Sequence, residues 1–231
     1  MNQTAERAFE RRILIWMCVL IAINQLGFGA LVPVMPLYAK GFGVSQMAIG
    51  MAIAIYGLAR FVMGVPTGQL ADWLGRRPTL AIGGLVSTAG NFWCACADTY
   101  PEFVIARFVA GAGAALVLNA GSIVLADITT PERRGRSMAI YQGTFLFAVG
   151  AGPFPGGVIA QAYGLSAPFI AYGIAGLGAS AVAWFAISET RDFRRSTGSS
   201  GAVKVRFGEQ LRIMLSQLGF RLVSAVGFTN A

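Results

Sequence analysis

The chain has 231 residues, of which 55% are hydrophobic and only 12% charged, and its formal net charge is +8. Soluble domains carry about 25% charged residues, so a chain this apolar cannot cover a water-facing surface and must use lipid as solvent for much of its length. There is no His, and Cys18, Cys94 and Cys96 all lie in apolar stretches, which excludes a metal-ligand cluster and a secreted disulfide framework and reads the cysteines as small buried thiols.

A membrane-crossing helix needs about 20 predominantly apolar residues. Six stretches qualify in chain order: 13–38, 46–71, 79–97, 102–127, 137–160 and 167–188. No ten-residue alternation of the kind a closed β-barrel needs is present. The expected fold class is an all-α membrane protein with six complete spans. Residues 1–12 form a polar N-terminus without the features of a cleavable signal. Residues 189–212 read as a polar linker around Ser196–Gly201, and apolar character returns over 213–231 as the truncated start of a seventh span.

Positive charge marks alternate sides of these spans. One set of loops carries Arg7, Arg11 and Arg12, then Arg76 and Arg77, then Arg133, Arg134 and Arg136; the opposite set carries Lys40. Arg191, Arg194 and Arg195 follow the sixth stretch. The positive-inside rule predicts a cytoplasmic N-terminus in a cell membrane. This accounts for the pI of about 10 without nucleic acid as a partner.

An internal repeat runs through the chain. Pro66, Gly68, Leu70, Ala71, Asp72 and Gly75 recur 89 residues later as Pro155, Gly157, Ile159, Ala160, Gln161 and Gly164. A repeat displaced by three spans reverses its direction through the membrane, so the pattern predicts two inverted three-helix units.

Four constellations carry possible function. At the end of span 2, Gly68 would let another helix backbone approach closely. Asp72 stands beside Arg76 and Arg77, able to pair with them, and Gly75 supports a tight turn. In span 4, Arg107 precedes Gly111 and Gly113. An intramembrane arginine costs about 2.5–3.5 kcal/mol and needs a partner, a wet cavity, or a snorkelling position near the interface. In span 5, Gly152, Pro153, Gly156 and Gly157 combine a proline bend with close packing. In span 1, Asn24 and Gln25 could hydrogen-bond a substrate or a neighbouring helix, as could Asn119 in span 4. Arg60 in span 2 has no obvious local carboxylate.

The segment Gly68–Pro78 resembles the loop 2–3 motif of the major facilitator superfamily, with Trp73 where a basic residue is usual. Arg107–Gly113 is similar to the family's span 4 motif, and Gly152–Gly157 to its span 5 antiporter motif, with Ala148 replacing a glycine. The first span resembles that of twelve-span drug:proton antiporters, with Asn24 where Asp is frequent. The resemblance implies the six-helix N-terminal bundle of the major facilitator fold. It assigns Gly68, Asp72, Gly75, Arg76 and Arg77 to a conformational latch and Arg107 to proton coupling. It also implies secondary active transport, with proton-coupled efflux of small molecules by alternating access. The implied partners are the lipid bilayer, a small-molecule substrate, a proton gradient and a further six-helix half. No cofactor and no enzymatic activity are expected. An uptake symporter of the same fold and a non-transporting six-helix scaffold are the alternatives.

Overall fold

A computed structural model describes residues 3–187, all of whose regular elements are helical. The expected linker at 189–212 and the seventh-span start at 213–231 lie outside the described residues. Among the described residues, nine helical segments build six passes. The first pass is α1 (Gln3–Leu31) and α2 (Val34–Lys40), interrupted at Val32 and Pro33. The second is α3 (Gln46–Val62) and α4 (Gly64–Leu74), bent by 45°. α5 (Arg76–Ala95) and α6 (Tyr100–Ile128) follow. α7 (Pro131–Ala151) and α8 (Pro153–Tyr163) make the fifth pass, and α9 (Ala167–Ala186) the sixth.

The helices outrun the predicted spans. α1 begins at Gln3, so residues 3–12 of the polar N-terminus are helical and continuous with the first span. Arg133, Arg134 and Arg136, expected in a loop, instead occupy the first two turns of α7. Pro131 at the first helical position and Glu132 in the first turn favour that early start.

Among the described residues, four helices are long and apolar enough to cross a membrane, and the bent pair α3–α4 makes a fifth. α5 is not apolar enough by itself. Its polar groups face protein rather than lipid: Thr79, Ser87, Thr88 and Asn91 are buried, and α5 packs mainly on α6 and α9. The sixth crossing is therefore made by burial inside the bundle.

The inverted repeat is visible in backbone geometry. α4 and α8 each have 11 residues, α5 and α9 each have 20, and each short helix ends on a glycine with an unusual conformation. Gly75 has φ 105° and ψ 164°; its repeat-mate Gly164 has φ 92° and ψ 166°. This region is essentially restricted to glycine, because a Cβ clashes there. Gly75→Ala and Gly164→Ala should each lower stability by about 1–3 kcal/mol, read as the shift in unfolding midpoint in detergent. A loss confined to one of them would contradict the equivalence of the two corners.

Two apolar cores occupy opposite ends of the bundle. One contains Ile13, Met17, Ile21, Leu80, Val124 and Leu125; the other contains Leu31, Met35, Ile49, Phe103 and Phe169. In the second, Tyr38 packs 5.2 Å from Phe103 and 5.0 Å from Phe169, ring centre to ring centre. Along α1, α5 and α6 alike, buried polar residues fall between the two cores: Asn24 and Gln25, Ser87 and Asn91, and Arg107. The result is a polar layer at mid-bundle.

Close helix contacts hold the layers. A methyl group on Gly113 would stand 2.6 Å from the Gly83 carbonyl oxygen, so α5 and α6 meet backbone to backbone. Gly152 would place one 2.6 Å from the Leu26 carbonyl oxygen on α1. Gly156 abuts Ala30 in the same seam. Other glycines are open. Gly50, Gly57 and Gly64 on the second pass, and Gly143, Gly150 and Gly157 on the fifth, have nothing within 4 Å of where a Cβ would be.

Candidate functional site

The corner between α4 and α5 concentrates charge. Gly75 reverses the chain there, and the Thr79 hydroxyl donates to the Gly75 carbonyl at 2.7 Å, closing the first turn of α5. This turn carries Arg76 into the protein, where it is 2% exposed. Its Nε donates to Asp127 Oδ2 at 2.7 Å, and its Nη1 donates to the Ala71 carbonyl at 3.0 Å. Nη1 also lies 3.1 Å from Asp72 Oδ1. One guanidinium thus ties α4, the start of α5 and the end of α6 together. The two carboxylates differ: the Asp72 side chain is 67% exposed and that of Asp127 is 6% exposed. Arg77 turns the other way and stacks its guanidinium 4.7 Å from the Trp184 ring centre.

Four members of the predicted latch, Asp72, Gly75, Arg76 and Arg77, meet at this corner. Gly68 lies on α4, a turn before Asp72. Among the described residues no atom lies within 4 Å of where its Cβ would be. Trp73, in the place of the usual basic residue, is 75% exposed. Asp127 was not anticipated as a latch member. Its signal was legible: it is the acid near the end of an otherwise apolar span, at the membrane end where the arginines collect.

The second site is the polar layer. Arg107 is 1% exposed, so it neither snorkels nor reaches water. Its guanidinium sits 4.4 Å from the Tyr56 ring centre, an arrangement that offsets part of the desolvation of a cation. Among the described residues it has no carboxylate, and its Nε and Nη1 have no hydrogen-bond partner. Asn91 Nδ2 donates to the Ser87 carbonyl at 2.7 Å, while its Oδ1 has no partner. Gln25 Nε2 donates to Asn24 Oδ1 at 3.3 Å, and Gln25 Oε1 likewise has none. Donors and acceptors therefore stand unsatisfied in one buried stratum, which marks a place for water or a polar guest.

Arg60 faces this stratum's edge between two aromatic rings, 6.0 Å from the Phe28 centre and 5.9 Å from that of Phe145. Its partners are π-faces from α1 and α7, not a carboxylate. Phe28 in turn stacks on Tyr56 at 5.1 Å. Asn119 is half-buried on α6, on the arginine-bearing side of the layer. Tyr56 escaped sequence reading because a tyrosine in an apolar span looks like core.

The predicted glycine packing is divided. Gly111 and Gly113 press in different directions, Gly111 against the Tyr56 backbone and Gly113 against α5. Gly152 and Gly156 seat the α7–α8 break on α1, with Pro153 opening α8; Gly157, expected to share in this contact, points into open space. Cys94 is buried as anticipated, whereas Cys18 is half-buried and Cys96 exposed. Cys96 lies at the C-cap of α5, beyond the apolar core.

Comparison with known proteins extends the geometry. Residues 17–230 match the family model described as Major Facilitator Superfamily. The chain is 33% identical over 175 residues to the inner membrane transport protein YajR of Escherichia coli, covering 73% of this chain and 37% of that protein. It is 26% identical over 133 residues to the quinolone resistance protein NorA of Staphylococcus aureus, covering 56% of this chain and 34% of NorA. Among solved structures it superimposes on the proton:xylose symporter XylE with TM-score 0.70 at 17% identity, over 84% of this chain and 48% of that one. The chain thus spans less than half the length of the relatives it matches.

Proposed function

Because the chain belongs to the major facilitator superfamily, we propose that it supplies the N-terminal six-helix half of a secondary active transporter that expels small molecules in exchange for protons. The observation that carries the efflux direction is the Gly152–Pro153 break. It matches the antiporter motif in sequence, and Gly152 and Gly156 lock it onto α1 at Leu26–Ala30, directly beyond Asn24 and Gln25. The relationship to a quinolone resistance protein supports the same reading.

In this mechanism the polar layer is the pathway's midpoint, as expected for a site between inverted repeats. Asn24, Gln25 and Asn119 offer neutral hydrogen bonds to a guest, and Arg60 closes the layer's edge through Phe28 and Phe145. Asn24 cannot titrate. Arg107, buried over Tyr56, biases the protonation of whatever group shares its layer. The arginine-bearing end is cytoplasmic. There Arg76 with Asp127 is the fixed part of a latch, and exposed Asp72 is the part that exchanges partners when the halves rock.

The test is flux by the full-length protein in proteoliposomes with an imposed pH gradient, using a panel of small amphipathic compounds. Outward transport coupled to inward proton movement is expected. Gradient-driven flux in the same direction as the protons would install the symporter reading instead, and the absence of gradient-dependent flux would remove both.

A further inference from the structure

A groove of about 960 Å³ opens between α1 and α7 at the arginine-bearing end. Its origin is in the packing. Beyond the polar layer, Gly29, Gly152 and Gly156 let the first and fifth passes meet backbone to backbone. Towards the other end, Leu14, Cys18, Ser137 and Thr144 stand in the space between the same two passes and line the groove instead.

The lining has two chemistries. Arg7, Arg11, Arg133 and Arg136 occupy the mouth, and Glu10 is the one acid among the described residues that line it. Glu10 is engaged by Arg133, whose Nη1 donates to its Oε2 at 2.9 Å. Arg7, Arg11 and Arg136 have no acidic partner among the described residues. Deeper in, the wall is apolar and open: Ile15 is 53%, Val19 36% and Ile140 44% exposed. Positive charge at the headgroup level above an exposed aliphatic wall is complementary to one kind of molecule available in the membrane. Basic pockets between spanning helices are where phospholipid headgroups lodge.

We propose that this groove binds an anionic phospholipid, with its phosphate among Arg7, Arg11 and Arg136 and an acyl chain along Ile15, Val19 and Ile140. A free phosphate would leave the aliphatic wall uncovered, and a neutral zwitterionic lipid would leave the surplus of arginines uncompensated. The inference needs only that this end lies at a membrane surface; it is independent of transport direction and of coupling.

The groove contains its own reporter, because half-buried Cys18 is in its wall while exposed Cys96 lies outside it. The full-length protein, delipidated in detergent, is treated with a maleimide with and without added phosphatidylglycerol, phosphatidylcholine or glycerol 3-phosphate. Phosphatidylglycerol is expected to slow labelling at Cys18 and leave Cys96 unchanged, and the other two to do neither. The Arg11→Gln/Arg136→Gln variant, which keeps the Glu10–Arg133 bond, should need roughly tenfold to thirtyfold more phosphatidylglycerol for the same protection. Its native fold is checked by an unchanged unfolding midpoint without lipid. Equal protection by phosphatidylcholine would overturn the charge selectivity, and protection by glycerol 3-phosphate the lipid source. Unchanged protection in the variant would overturn the assignment of the arginines. Cys18 unreactive under every condition would mean that another protein segment fills the groove, which would also overturn the proposal.

Discussion

Asp127→Ala should destabilise the folded protein by about 3–5 kcal/mol, because it takes the buried counter-charge from a guanidinium that has been removed from water. Arg76 is 2% exposed, and its 2.7 Å bond to Asp127 is its best-shielded ionic contact. Two of its other acceptors are weaker. The Ala71 carbonyl carries no net charge, and Asp72, at 67% exposure, makes its 3.1 Å contact in a solvent-screened position. For the same reason Asp72→Ala should cost no more than about 1 kcal/mol, the range of exposed ion pairs. Purified variants of the full-length protein unfolded by heat or denaturant in detergent would measure the contrast. The double replacement Arg76→Met/Asp127→Leu should recover most of the loss, since it removes both desolvated charges together. Equal costs for Asp127→Ala and Asp72→Ala would refute the division into a buried anchor and an exposed, exchangeable acid. Transport should separate the two in the opposite sense: Asp72→Asn is expected to leave folding nearly intact while lowering flux.

Gly113→Ala is expected to cost about 1–3 kcal/mol, with the upper end favoured because the obstacle is main chain. The new methyl would lie 2.6 Å from the Gly83 carbonyl oxygen, and closer still to the Ser87 amide nitrogen. A flexible side chain could rotate away, but the backbone of α5 can yield only by moving the whole helix out of contact with α6. The control is Gly135→Ala in the first turns of α7, where nothing lies within 4 Å. That change should be neutral or stabilising by up to about 1 kcal/mol, because alanine restricts the unfolded chain and favours a helix. Opposite signs at the two positions, measured side by side as unfolding midpoints, would confirm that the α5–α6 seam is set by main-chain contact. Equal tolerance would mean that the two helices have freedom to separate.

Much of this architecture was legible in the residues, for physical reasons. Apolar runs of spanning length locate helices because lipid punishes exposed polar backbone, and the 89-residue repeat that relates Gly75 to Gly164 marks two equivalent corners in the sequence itself. Helix ends were less legible. Arg133, Arg134 and Arg136 read as loop because they are charged, yet charge does not break a helix, and α7 begins at Pro131 before them. Composition also understates α5, whose Ser87, Thr88 and Asn91 are hidden among neighbours. Partners were the least legible of all. Arg76 finds Asp127 51 positions away and Arg107 finds the ring of Tyr56, pairings that only the packing of separate passes creates. The glycines show the same limit. Gly113 and Gly157 are indistinguishable as letters, but one fills a seam and the other faces open space.

That contrast has a mechanical consequence. Helices normally engage like gears, side-chain ridges of one entering grooves of the other. Inside the bundle, main-chain contact at Gly83–Gly113 and at Gly152–Leu26 leaves no clearance for such teeth to jump, so α5 is fixed against α6 and the α7–α8 break against α1. Along the open flanks, Gly50, Gly57 and Gly64 on one side and Gly143, Gly150 and Gly157 on the other recur every seven residues, so each flank alternates notches with exposed rings, Phe61 on the one and Phe147 and Phe154 on the other. A helix resting on such a flank would meet a notched surface, indexed one heptad apart, rather than a smooth one.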